Sequence, residues 1–458
     1  MKHNPVAAGA ILLSLLAVVT ASAAEENHPP ATSTVTSPAA TSEEVAALRR
    51  EVEALRETVR ALLEKIQALQ AAGAAQSVAA PPAEVAPPPT APPAPPGPPS
   101  RSPNLMNPAI SAVFQAIGNT SLTRRAEENG FDLSEAEVAF QSVVDPYAKV
   151  DLFLTFPAGE TPEVEEGVVS TLSLPGSLQI RGGRFKSAFG KWNTLHSHAF
   201  FTVDRPDALV NFLGEESLTN DGMGLSVLVP NPWSLYLESI TEVGTAREGP
   251  AFNSEKRSLT YLEHLTFFFN TSADSTLELG LTGSWGKAGP PETLLTVLSD
   301  PNISSLQPDD RFDSAVQGLD LTYKWKPLGM NVYRSFLWQT EILRSHRDLQ
   351  VLTPSLRLIP GSVTSHGGYT YLESQFSKRF RVGLRYDRSG LPDDEKALEW
   401  AASAVVRFRP SEFQEIRFQI KHVRRNEEAA LRFGGDEDDT RLFFEWIPVI
   451  GAHGAHRY

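Results

Sequence analysis

His196 and His198 stand two residues apart with Asp204 close behind, and imidazole plus carboxylate is a donor set for a metal ion. Without a third ligand at a metal-binding spacing, the pair is expected to serve in hydrogen bonding, and neither metal nor cofactor is expected. His453 and His456 near the C-terminus are read the same way. The chain has no cysteine, which excludes disulfides and thiolate ligands. No G-x-S-x-G, H-E-x-x-H or G-x-x-x-x-G-K-S/T sequence falls where its chemistry would need it, so an enzyme is not expected. What remains is electrostatics. Lys191, His196, His198, Asp204 and Arg205, with Asp207, Glu215 and Glu216, concentrate charge within 188–221. Elsewhere Arg181, Arg381, Arg385, Arg407, Arg417 and Lys421, and against them Glu135, Glu137, Glu278 and Glu399, occupy the polar rows of alternating segments. Facing one another across a wet lumen, such charges would set up a transverse field that sorts solutes by sign. The plainer reading of each is an ion pair that satisfies a polar interior.

Such a field needs a wall. From Asn107 onward hydropathy alternates with period two, as in Ala148, Val150, Leu152, Leu154 and Phe156 against Lys149, Asp151 and Thr155. Ile416, Phe418 and Ile420 against Arg417, Gln419 and Lys421 repeat the pattern. The expected strands are 109–117, 131–143, 147–156, 163–174, 177–187, 222–229, 233–242, 257–269, 275–286, 314–325, 331–344, 366–376, 379–388, 398–409, 413–424 and 440–450. Short turns such as Asp145-Pro146, Pro175-Gly176 and Ser377-Lys378 alternate with links that are mostly longer and more polar. An even strand number with short turns on one side and long loops on the other is the pattern of a transmembrane barrel, and a soluble sandwich has no reason to keep it. Phe156, Trp233, Trp285, Trp325, Phe376, Phe408 and Trp446 sit near strand ends, where an interfacial girdle would place them. About sixteen antiparallel strands enclose an aqueous lumen, whereas about eight would be filled by side chains. The third and longest loop, 188–221, is the expected constriction, and the fold class is an all-β transmembrane barrel over 104–458.

The region before the barrel reads as four pieces. Residues 1–23 form an export signal, with a basic start, an apolar run from Val6 to Val19 and Ala21-Ser22-Ala23 at the cleavage site. A disordered spacer fills 24–41. Over 42–70, Val45, Leu48, Val52, Leu55, Val59, Leu62, Ile66 and Leu69 alternate by three and four, which predicts a coiled coil as the oligomerisation element. β-branched residues at a and Leu at d favour a dimer, Leu63 at e widens the seam, and the barrel argument tips the reading to a homotrimer. The Ala/Pro-rich stretch 71–103 is an extended linker. A formal charge of -14 argues against sequence-independent nucleic-acid binding. Expected partners are outer-membrane lipid, the barrel-assembly machinery through C-terminal Tyr458, and the cell wall for the periplasmic rod.

The sequence resembles the phosphate-selective porin O and P-like family of bacterial outer-membrane proteins. The resemblance rests on Asn107-Pro108-Ala109-Ile110-Ser111, on Val144-Asp145-Pro146-Tyr147-Ala148, and above all on Gly183 to Pro206, with Gly183-Arg184-Phe185-Lys186, Phe189-Gly190, Asn193, His196, His198 and Val203-Asp204-Arg205-Pro206. The ending Gly451-Ala452-His453-Gly454-Ala455-His456 matches as well. It implies a sixteen-stranded, usually trimeric channel for passive uptake of small anions, lined by a ladder of arginines and lysines. Three readings compete with a diffusion pore, one of them an outer-membrane lipase, whose sign would be a Ser nucleophile near a barrel-facing His. A receptor-type, TonB-dependent-like transporter would need a globular plug and about 22 strands, and an envelope tether would use the rod and linker as its working parts.

Overall fold

A computed structural model of the chain describes residues 108–451 apart from 124–128, 160, 234, 247–248, 254–257, 300–305 and 434–435. The expected signal, spacer, coiled coil and linker, together with His453, His456 and Tyr458, lie outside the described residues.

Sixteen strands close into one antiparallel barrel, each paired with its chain neighbours and the first with the last. They are β1 (Ala109–Ser121), β2 (Gly130–Asp145), β3 (Ala148–Pro157), β4 (Glu163–Thr171), β5 (Leu178–Lys186), β6 (Thr219–Leu228), β7 (Tyr236–Ala246) and β8 (Leu259–Ser272). The second half comprises β9 (Ser275–Ala288), β10 (Phe312–Trp325), β11 (Ser335–Leu352), β12 (Leu358–Gln375), β13 (Phe380–Leu391), β14 (Asp394–Ser411), β15 (Gln414–Arg425) and β16 (Asp438–Gly451). Closure leaves no strand edge unpaired.

The polarity of the wall is inverted relative to a soluble protein. Val169, Leu281, Leu319, Ile342, Leu384 and Phe418 point outward and are 40–56% exposed, while Glu137, Asp320, Glu341, Arg385, Arg407 and Arg417 point inward and are at most 2% exposed. In water this arrangement would leave a large apolar surface uncovered; it is stable where the outer solvent is hydrocarbon and the backbone is satisfied inside the sheet. Among the described residues no helix is long and apolar enough to cross a membrane. Aromatic residues gather at the short-turn rim, where Trp233 and Phe376 are exposed and Phe380 stacks on Phe408 at 4.6 Å. Phe156 and Trp285 lie toward the opposite ends of β3 and β9.

Two links differ from expectation. The pairing of β11 with β12 continues well beyond 344 and 366, so the sixth link shrinks to 353–357, and the seventh is only Pro392 and Asp393. Arg344, His346 and Asp348 on one row face Ser345 and Arg347 on the other, so the hairpin is polar on both faces while its ladder persists from Ser335↔Gln375 to Leu352↔Leu358. A strand above the hydrocarbon zone keeps its hydrogen bonds but loses the apolar row by which it was being read. Short helices decorate other loops: α1 (Asp207–Leu213) in the third, α2 (Glu292–Leu298) in the fifth and α3 (Glu427–Arg432) in the eighth.

Candidate pore constriction

The third loop runs from Ser187 to Leu218 between β5 and β6 and folds into the lumen. Its composition explains why. Phe189, Trp192, Leu195, Phe200, Phe201, Leu209, Phe212 and Leu213 are all buried, packed against Leu262, Val316, Leu343, Tyr369, Tyr371 and Val405 of the wall. Those wall residues are the places where the inward row turns apolar or aromatic. Each large side chain so buried contributes roughly 1.5–3 kcal/mol, against a wet lumen as the alternative. Trp192 is the hub, with ring centroids 5.1 Å from Phe200, 5.5 Å from Phe201 and 5.8 Å from Tyr369. Its Nε1 donates to Gln339 Oε1 at 2.6 Å.

The loop is fastened to the wall at separate points around the circumference. At β9 to β12, the Lys191 and Trp192 backbone N–H groups donate to Glu341 Oε1 at 3.1 and 3.2 Å, and the Tyr369 hydroxyl donates to the same oxygen at 2.7 Å. Gly190 makes this approach feasible, because its φ is +57° and a Cβ there would lie 1.9 Å from Glu341 Oε2. Lys191 Nζ pairs with Glu278 of β9.

At β2 and β4 the His196 ring meets carboxylates on both nitrogens. Nδ1 lies 2.7 Å from Glu137 Oε2 and 3.1 Å from Glu165 Oε2, and Nε2 lies 3.3 Å from Glu166 Oε1. Glu165 and Glu166 both reach the lumen because the β3–β4 register slips between Phe153 and Leu154, leaving Glu165 as the extra residue of a bulge. The Phe153 ring lies 4.6 Å from the imidazole. Burial alone would lower the His196 pKa, but the Glu165 charge and the hydrogen bonds to Glu137 and Glu165 hold it well above the ordinary imidazole value. Ser197 donates to Gln115 at 2.7 Å and Glu135 at 3.1 Å, and His198 Nδ1 stands 3.6 Å from Glu137 Oε2.

At β13 to β15 the signs reverse. Asp204 receives Arg385 Nη2 at 2.8 Å, Lys421 Nζ at 2.7 Å and Gln419 Nε2 at 2.5 Å, while Lys421 also pairs with Asp207. Burial would raise the Asp204 pKa, yet the Arg385 and Lys421 charges hold its carboxyl well below the ordinary range. Arg205, 5% exposed, turns into the loop, donating to Gly214 O at 2.8 Å, Ser217 Oγ at 2.9 Å and Asn193 Oδ1 at 2.9 Å. Burial pushes its guanidinium down to about 10. It ties the two limbs of the loop together instead of presenting charge to a passage.

The remaining arginines form a belt of ion pairs. Arg381 and Arg407 reach Glu373 at 3.1 and 2.6 Å, Arg407 and Arg417 reach Glu415 at 2.7 and 2.8 Å, and Arg417 reaches Glu445 at 2.9 Å. Arg417 Nη2 also donates to His198 O at 2.7 Å, so the belt carries part of the loop. Arg181 pairs with Glu242, and Glu399 with Arg425. Of the residues singled out from sequence, His196, His198, Glu135 and Glu137 therefore come together, as do Asp204, Arg385 and Lys421. Glu165, Glu166, Glu341, Glu373, Glu415 and Glu445 were not singled out, nor was Trp192. Glu165-Glu166 was visible as a break in alternation after Val164, and Phe189, Trp192, Phe200 and Phe201 make 188–221 too aromatic for a solvated loop.

Solvated space lies on both sides of this assembly. Toward the long loops, a cavity of about 1220 Å³ is lined by Glu215, Asp221, Lys287, Arg347, Asp393 and Arg432 among others. Lower in the lumen, Arg181, Lys191 and Glu278 keep 27%, 16% and 17% of their side chains exposed, a mixture of signs.

No family model matches the chain. It is 28% identical over 376 residues to an uncharacterised protein of Aquifex aeolicus, covering 76% of this chain and 74% of that one. Among solved structures it is similar to an anion-selective porin from Comamonas acidovorans, with a TM-score of 0.49, 8% identity, and 75% of this chain and 99% of that one covered. Pseudomonas putida OprB gives a TM-score of 0.48 at 10% identity, over 75% and 94% of the two chains.

Proposed function

We propose that the protein is an outer-membrane porin that lets small hydrophilic solutes diffuse passively past its third loop. The observation that carries the reading is the closed sixteen-strand wall, apolar outside and charged inside, with a long loop folded into its lumen. The export signal read at 1–23 supports delivery beyond the inner membrane. Among sixteen-strand barrels an aqueous passage is the general outcome. Selectivity by sign is weak in this reading. Arg181, Arg381, Arg385, Arg407 and Arg417 each stand in an ion pair, and the part-exposed groups Arg181, Lys191 and Glu278 have opposed charges. A ladder of free cations, which anion or phosphate selection would use, is not what supports the proposal. The heptads of 42–70 support assembly as an oligomer, and the barrel argument tips it to a homotrimer.

Planar-bilayer recording of the purified chain tests the reading. Small ohmic steps, grouped in threes, are expected; a silent bilayer with correctly folded protein overturns the pore. Reversal potentials in a salt gradient should lie close to zero. They should shift toward cation preference in Lys191→Ala and stay unchanged in Arg205→Ala, whose charge is spent inside the loop.

A further inference from the structure

The geometry points to a divalent-cation site formed by Glu137 of β2, Glu165 of β4 and His196 of the third loop, with Glu166 orienting the imidazole from behind. One donor atom from each of the three ligands lies within 4.8 Å of the others. Around His196 Nδ1 the two carboxylate oxygens stand at 2.7 and 3.1 Å. Donors held ~2.1 Å from a common ion are separated by ~3.0–3.4 Å, so both nitrogen–oxygen spacings are close to those of a coordination shell and the carboxylates have only to close on a common centre.

Three further observations favour an ion over a plain ion pair. First, Glu137 Oε1 has no hydrogen-bond partner although the residue is only 2% exposed. A buried carboxylate oxygen left unpaired is costly, and a bidentate hold on the ion, Oε1 joining the Oε2 that already faces His196, would satisfy it. Second, the oxygens of Glu165 are divided: Oε1 takes Lys186 Nζ at 2.7 Å, leaving Oε2 for the site. Third, Glu135, Glu137, Glu165 and Glu166 gather beside one ammonium, Lys186, and the imidazoles of His196 and His198. That surplus of negative charge in a buried place is what a dication neutralises. With Nδ1 ligating, the ring proton sits on Nε2 and is donated to Glu166 Oε1, 3.3 Å away, the outer carboxylate that usually fixes a ligating histidine.

One imidazole and two carboxylates suit Zn²⁺, Co²⁺ or Mn²⁺ better than an all-oxygen ion such as Mg²⁺. The ion would join the middle of the third loop to two strands of the wall, whatever solute the lumen carries. The site was invisible to histidine spacing because its second and third ligands come from other strands.

The test uses the full chain folded in detergent, stripped with EDTA and dialysed. Calorimetric titration with Zn²⁺ should give one ion per chain, and Co²⁺ should produce visible absorption of mixed nitrogen and oxygen coordination. His196→Ala and Glu137→Gln should each weaken Zn²⁺ binding by tenfold or more while the barrel keeps its heat-modifiable gel mobility, and Glu166→Gln should weaken it by less. If a ligand variant does not fold, the Co²⁺ spectrum of the wild type and its change in Glu166→Gln decide. Zn²⁺ uptake no greater than that of His196→Ala, or a featureless Co²⁺ spectrum, overturns the site and leaves an imidazolium paired with carboxylates.

Discussion

The third loop is gripped by β2 and β4 on one side and by β13 to β15 on another, and the two grips use opposite chemistry. At β2 and β4 the wall supplies the anions and the loop supplies an imidazole. At β13 and β15 the wall supplies the cations and the loop supplies Asp204 and Asp207. The first is overcharged, with more carboxylates than cations. The second is nearer to balance, with Arg385 and Lys421 meeting Asp204, Asp207 and Asp387. The grip nearer to balance needs less help, whereas the more overcharged one is completed by something that brings positive charge.

Four experiments break or sharpen this contrast, in decreasing order of effect. Asp204→Ala strands Arg385 and Lys421 in a buried place, and the loss of one partner from such a set costs about 3–5 kcal/mol. Urea unfolding in detergent should show it, and single-channel conductance should rise as the loop loosens. Trp192→Phe keeps most of the apolar hub but removes the bond to Gln339 and part of the ring. A loss of about 1–3 kcal/mol is expected, since both grips lean on the hub; an unchanged midpoint would mean that they hold the loop independently of it.

Acid separates the grips next. The Asp204 carboxyl is held below its ordinary value, so its contribution is fully present above about pH 4 and is lost as pH falls through the lower folded value. Protease protection of 187–218 should therefore persist at pH 4 and fail only in stronger acid, and Asp204→Asn should abolish that acid-dependent component. The smallest effect belongs to Lys191→Ala. It breaks a single pair, with Glu278, whose partners keep 16% and 17% of their side chains exposed, so stability should fall less than in Asp204→Ala, which strands two cations, while the reversal potential shifts.

The barrel was legible because period-two alternation and turn residues act over neighbouring positions, and all sixteen expected segments overlap observed strands. Legibility failed where the physics was not local. Above the hydrocarbon zone, β11 and β12 lose the apolar row, and their ladder alone carries them to Leu352 and Leu358. The charged residues of the loop could be named from sequence, but their partners could not. His196 meets Glu137 and Glu165 only after the sheet curls, and Arg205 turns inward because Asn193 and Ser217 are waiting for it. Lumen arginines look alike in sequence whether they face water or a carboxylate. Only the register across strands, which sets Glu373 beside Arg407 and Glu445 beside Arg417, tells the two apart.

The seam between β1 and β16 carries a consequence in time. Ser111 pairs with Gly451, so the strand made first completes its hydrogen bonds only after the strand made last has arrived. Bringing such distant ends together is slow, and until then two sheet edges stand open to other chains. Gly451 occupies the final rung with φ +87°, and a Cβ there would lie 2.3 Å from Ile110 O. A bulkier residue at that position would leave the finished wall nearly unchanged in composition yet stall the one event that turns a sheet into a vessel.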